Sequence, residues 1–256
     1  MGTEGLLSNS TLLGFFLTMV RVSAVFVFVP IPGMKGIVDP ARITLTLGIT
    51  LALYSLWPHP SNDVSAGLLV TWVMAEAALG VGIGLAVAFA IEAFLVGAQL
   101  IGMQAGYSFA STIDPATQAD STVLVSFAQT CATILFFSLG LDREVLRIFA
   151  RSMVVFPPGT FTLSRNAAVQ MVAAGSTMFS TGLRLALPVI AVMVMVDLSL
   201  ALLGRVNAQL QLITIAFPVK MLVGLGLLAW LTPLLPALLR GGGAVSFQAA
   251  RSLITH

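Results

Sequence analysis

Residues 97–127 read GAQLIGMQAGYSFASTIDPATQADSTVLVSF, an apolar run that turns polar after Gly106 and apolar again at Val123. Nearly everything on either side reads as membrane-grade helix. A loop carrying Asp114, Pro115, Gln118 and Asp120 between two such runs needs water, a headgroup layer or surrounding protein, because hydrocarbon leaves backbone polar groups unsatisfied. The expectation is a loop in or over a conduit.

Composition decides the solvent. The chain has 256 residues, 58% hydrophobic and only 9% charged, with a mean hydropathy of +1.02, against about 25% charged residues in an ordinary soluble domain. It reads as an all-α integral membrane protein. A net charge of +2 with dispersed basic residues argues against a nucleic-acid partner. The single cysteine, Cys131, lies in an apolar run and reads as a small buried hydrophobe.

Upstream of the loop, TLLGFFLTMVRVSAVFVFVPI (11–31) is a full-length span holding Arg21. The start lacks a basic leader, and this run is expected to be retained. A central arginine costs about 3 kcal/mol on the insertion scale, and each Leu, Ile, Phe or Val returns roughly 0.3–0.6 kcal/mol. The run therefore inserts, with Arg21 turned to protein or a wet cavity. Pro30, Pro32 and Gly33 close it, and Arg42 opens a second run, Ile43 to Trp57. At 1.5 Å per residue, that run covers roughly 22 Å, short of the bilayer core.

From Val64 to Phe109 the chain has few turn signals, yet about 69 Å of helix is too long for one span. The expectation is a hairpin or broken helix, with Gly80, Gly82 and Gly84 as the weak point. GVGIG itself reads as a packing motif and not a phosphate cradle, since no lysine follows and no strand precedes. Glu76 and Glu92 lie in this run. Each is expected to be protonated, paired with a base such as Arg21 or Lys220, or water-facing. They stand about 160° apart on a continuous helix and share no face.

Downstream, Val123 to Leu141 is a clean span, followed by DREVLRIFARSM. Arg143, Arg147 and Arg151 recur every fourth residue, the pattern of a basic amphipathic helix at a boundary, on the cytoplasmic side by the positive-inside rule. Pro157, Pro158 and Gly159 end it. Two further apolar stretches run to Gly204 and from Leu210 to Leu239, interrupted by Arg184, Pro188, Asp197, Pro218, Lys220, Pro233 and Pro236. Interior prolines predict kinked helices packed on protein.

The sequence holds no HExxH, paired cysteines, Walker motif or nucleophile beside a base, so enzyme catalysis is not expected and no cofactor or metal is called for. Channel, transporter and assembly subunit stay open on the residues alone.

The order of features resembles the FliR/SctT family of type III secretion export-gate proteins. The likeness rests on Arg21 in the first run, Pro30 near its end, Arg42 opening the second, Glu76 before glycines, the GAQLIG of 97–102, and Asp114-Pro115. It rests most on LALLGRVNAQLQLITIAFPVK (200–220), with Arg205, then Gln209-Leu210, then Phe217-Pro218-x-Lys220. Ala208 departs from the pattern, where a proline commonly precedes the Gln-Leu.

The resemblance implies a non-enzymatic subunit of kinked helical hairpins in a helical hetero-oligomer. Residues 1–165 would be the FliP-like part, 166–239 a FliQ-like hairpin and 240–256 a C-terminal tail. FliP, FliQ and FlhB homologues would be its partners, with membrane lipid, and less directly FlhA and exported flagellar subunits. The setting would be the flagellar basal body in the bacterial inner membrane. The assembly would form the conduit for unfolded subunits. The pore-closing loop maps onto 106–122, with Met103, Tyr107, Phe109, Ile113, Asp114 and Pro115 as pore candidates. Arg21, Arg42, Glu76, Glu92, Arg205, Gln209, Pro218 and Lys220 are the candidates for buried charge and assembly. The alternative is a proton-coupled secondary transporter or channel subunit using Glu76 or Glu92.

Overall fold

Long apolar stretches with few breakers leave the backbone one economical way to satisfy its hydrogen bonds, and the described chain is helical with no strand among the described residues. The computed structural model describes residues 9–29, 40–58, 65–106, 123–157, 159–206 and 212–254. In chain order these form α1 (Asn9–Phe28), α2 (Pro40–Ala52), α3 (Ala66–Ala105), α4 (Val123–Ser138), α5 (Leu141–Val155), α6 (Arg165–Val206), α7 (Leu212–Leu231) and α8 (Leu235–Ser252). Short 3-10 turns, Tyr54–Leu56 and Thr232–Leu234, follow α2 and α7.

Local chemistry sets several ends. Ser65 Oγ accepts the Leu68 N–H at 3.4 Å, and Ser164 Oγ accepts the Ala167 N–H at 3.1 Å, so each serine caps the helix it precedes. Gly106, at φ +84°, ends α3 in a left-handed turn, its N–H donating to the Met103 carbonyl at 3.2 Å. Asp142 and Glu144 lie in the first turn of α5, where the helix dipole favours acids.

The expected break at Gly80, Gly82 and Gly84 does not occur: α3 runs unbroken for 40 residues. The reason is packing. A Cβ on Gly80 would lie 2.5 Å from the Arg21 carbonyl oxygen and 2.7 Å from Ala24 Cβ, and one on Gly84 would lie 2.6 Å from the Val25 oxygen. Both glycines let α3 meet the backbone of α1, as small residues do between membrane helices. Gly82 faces Leu253 instead. Pro188 and Pro218 lie inside α6 and α7 and terminate neither. Beyond residue 239 the chain stays helical, α8 passing through Gly241, Gly242 and Gly243 to Ser252.

The chain divides into two compact units interleaved in sequence, residues 1–89, 136–175 and 244–256 in the first and residues 90–135 and 176–243 in the second. The first has a core of Leu17, Val22, Val25, Leu79, Ile83 and Phe136. The second buries Ile101, Leu124, Val189 and Met193, and there Gly97 and Gly182 bring α3 and α6 together, a Cβ on Gly182 falling 2.7 Å from the Ala93 oxygen.

Among the described residues, four helical stretches are long and apolar enough to cross a membrane: Asn9–Phe28, Ala66–Ala105, Arg165–Arg205 and Pro218–Ser252. Large apolar side chains stay exposed along α6, Val172 at 75% and Met195 at 67% among them. Such a surface suits lipid or another subunit and not water.

Candidate functional site

Arg21 is expensive to bury, and the first unit buries it completely: its side chain and that of Glu76 are each 1% exposed. The close approach at Gly80, one turn beyond Glu76, puts the acid of α3 beside the base of α1. Arg21 Nε donates to Glu76 Oε2 in a short contact, and Nη2 donates to Oε1 at 2.8 Å, a bidentate fork. Nη2 also donates to the Phe156 carbonyl at 2.9 Å, while Nη1 donates to the Ser152 carbonyl at 2.9 Å and to Ser152 Oγ at 3.3 Å.

A guanidinium carries five N–H groups, and these contacts employ all five. The two carbonyls belong to the last turn and C-cap of α5, where the dipole favours a cation; the Ser152 carbonyl also accepts the Phe156 N–H at 3.0 Å. Arg21 therefore ties three elements: it pairs with α3, stands on α1 and caps α5. The Ser152 hydroxyl in turn donates a hydrogen bond to the Phe149 carbonyl at 2.7 Å. The Gly159 N–H donates to Glu76 Oε1 at 3.4 Å. Gly159 has φ +76° and lies directly against the Trp72 ring, so no larger residue fits there. Phe156 and Phe161 close the region edge to face, with ring centroids 5.5 Å apart.

The second unit holds another polar cluster. Lys220 Nζ of α7 reaches Asp197 Oδ1 and Oδ2 of α6 at 2.9 and 3.0 Å, and Gln104 Nε2 of α3 donates to Oδ2 at 3.2 Å. Lys220 is 17% exposed and Asp197 42%. Of the two bases available to Glu76, Arg21 takes it and Lys220 serves Asp197.

Among the other candidates, Arg42 donates from Nη1 to the Val27 carbonyl at 2.7 Å. Arg205 is exposed near the end of α6, Pro218 is exposed inside α7, and Glu92 is exposed on α3. Met103 lies in the last turn of α3, 61% exposed. Tyr107, Phe109, Ile113, Asp114, Pro115 and Gln209 lie outside the described residues. Cys131 is half-buried and not fully enclosed, lining a small apolar cavity with Phe94, Ile101 and Leu185 in the second unit.

On α5, Arg143, Arg147 and Arg151 are exposed, while Val145, Ile148, Phe149 and Ser152 are buried. Glu144 pairs with Arg147 at 3.6 Å and with Arg251 of α8. Leu146 of the same helix is 43% exposed.

Sequence reasoning missed Ser152, Gln104 and the Phe156 carbonyl. The first two are ordinary polar residues, and a backbone acceptor leaves no trace in a sequence. Asp197 was visible as an acid in an apolar run, without a sign of its partner. Among the described residues, no group of three or more His, Cys, Asp or Glu side chains could hold a metal ion.

Residues 12–242 match the family described as bacterial export proteins, family 1. The chain is 31% identical over 223 residues to the flagellar biosynthetic protein FliR of Escherichia coli strain K12, covering 86% of this chain and 85% of that protein. It is 24% identical over 243 residues to the protein of the same name from Bacillus subtilis strain 168, covering 94% of each. It is also 26% identical over 232 residues to the surface presentation of antigens protein SpaR of Salmonella typhimurium, covering 89% of this chain and 84% of that one.

Proposed function

The chain belongs to the bacterial export proteins, family 1, and from that premise we propose that it is a membrane-embedded, non-enzymatic subunit of the flagellar type III protein export gate. The observation that carries this reading is the family match over residues 12–242 together with flagellar relatives covered across some 85% or more of their length. With FliP and FliQ homologues it would form the conduit for unfolded flagellar subunits, and an FlhB homologue would pack against it. Its place would be the basal body in the bacterial inner membrane.

In this reading, residues 1–165 play the FliP-like part and α6 with α7 the FliQ-like hairpin, and the polar segment 106–122 helps close the pore. The exposed apolar flank of α6 supports an assembly partner, because a hydrocarbon-like surface of that length is unsuited to water. The complete pairing of Arg21 with Glu76 supports an architectural use of that charge.

Co-expression with FliP and FliQ homologues tests the reading. A stable hetero-oligomer containing one copy of this chain is the expected product. A chain that stays alone and moves a small solute across vesicle membranes would instead establish the transporter.

A further inference from the structure

One face of α6 reads Ser180, Arg184, Leu187, Ala191, Val194 and Leu198, all exposed, while Gly182, Leu185, Val189 and Met193 on the other side are buried. The exposed set alternates steps of four and three, the spacing by which one helix packs along another. Arg184 interrupts it. This arginine lies near the middle of the 42-residue helix and makes no hydrogen bond or ion pair among the described residues. Pro188 has no N–H to give the Arg184 carbonyl four residues back, so a backbone acceptor is also freed at this point. A permanent cation and a carbonyl without its helical donor, set beside Leu187 and Ala191, need polar groups from whatever covers this face.

Three coverings differ in what they supply. A lipid headgroup at Arg184 would set the hydrocarbon boundary in mid-helix, and exposed apolar residues continue on both sides of it. Either Val172 and Phe179 or Leu187 and Leu198 would then be left in water. A second copy of this chain, packed through the same face about a two-fold axis, brings no free acid, because Asp197 is the one acid in α6 and already holds Lys220 and Gln104. A different helix that carries a carboxylate answers the charge and covers both apolar flanks. Ser180, small and with its hydroxyl already donating to the Thr177 carbonyl at 3.0 Å, allows such a helix to come close one turn from the arginine.

We propose, resting on the reading of the chain as an assembly subunit, that this face packs against one membrane helix of a different subunit, and that an aspartate or glutamate of that helix pairs with Arg184.

The test is purification of the chain with its co-expressed FliP and FliQ homologues, with native mass spectrometry reading which neighbours are retained. A photocrosslinker at position 187 is expected to capture a neighbour's helix within one turn of an acidic residue. Arg184→Glu is expected to lower retention of that neighbour at least about tenfold, since it leaves the partner's carboxylate facing a like charge. Changing the captured acid to arginine in the same complex is expected to restore retention. Ser180→Trp, which blocks close approach and keeps the cation, is expected to lower retention as well. The melting temperature of each variant chain alone in detergent is expected to stay at the wild-type value. Unchanged retention in Arg184→Glu or Ser180→Trp overturns the proposal, as does a charge reversal that restores nothing. Capture at position 187 of lipid, of another part of this chain or of a second copy overturns it too. Those results leave the assembly reading standing, whereas a wild-type chain that retains no neighbour overturns both.

Discussion

Arg21 and Glu76, fifty-five residues apart, close a two-point ion pair inside the first unit, with each side chain 1% exposed. Losing either partner strands the other as a bare buried charge, whereas replacing both with apolar residues removes the desolvation penalty along with the attraction. Arg21→Met or Glu76→Gln is therefore expected to destabilise the chain by about 3–5 kcal/mol, and Arg21→Met with Glu76→Leu by much less. Thermal unfolding in one detergent compares them. The swap Arg21→Glu with Glu76→Arg is not expected to recover the loss, because a carboxylate at position 21 would face the Ser152 and Phe156 carbonyls.

Gly80 and Gly67 form a matched pair of glycines in α3. A Cβ on Gly80 meets the α1 backbone at 2.5 Å, and one on Gly67 meets nothing within 4 Å. Gly80→Ala is expected to destabilise by about 1–3 kcal/mol through overpacking. Gly67→Ala is expected to be neutral or stabilising by up to about 1 kcal/mol through helix propensity. The relative melting temperatures of the two variants check this, and equal shifts would refute the close contact of α1 with α3.

The Asp197–Lys220 pair is more open than the Arg21–Glu76 pair, so it is worth less and responds more to salt. Asp197 is 42% exposed, and solvent screening brings its expected contribution to about 1 kcal/mol. A double-mutant cycle with Asp197→Asn and Lys220→Met is expected to give a coupling of that size, shrinking as ionic strength rises. A coupling that matches the Arg21–Glu76 cycle and ignores salt would contradict the difference in exposure.

How much of this was legible in the sequence depended on contrast. Arg21 and Glu76 stood out because charges are rare in apolar runs, and pairing between them was one of the options the residues offered. Choosing Arg21 over Lys220 required knowing that Gly80 brings α1 against α3, a tertiary fact that spacing does not encode. The same glycines misled the reading of α3, since glycine both weakens a helix and permits close packing. The polar cluster on Asp197 joins residues 93 and 23 positions apart and has no periodic signature.

The segment after Gly106 has a functional consequence under the proposed export role. Deleting residues 108–120 from a correctly assembled complex is expected to raise ion leakage through the closed conduit, measured by single-channel conductance. Unchanged conductance would remove the pore-closing role from this segment.

The most direct test of the account is export itself. In a host strain lacking the chain, secretion of flagellar subunits is predicted to be lost, restored by the wild-type chain and restored also by Arg21→Met with Glu76→Leu once that variant is assembled. Full secretion with an unaltered dependence on proton motive force would make the buried pair architectural and the chain a conduit subunit. An assembled double variant that secretes nothing would contradict this, and would place Glu76 in the transport step.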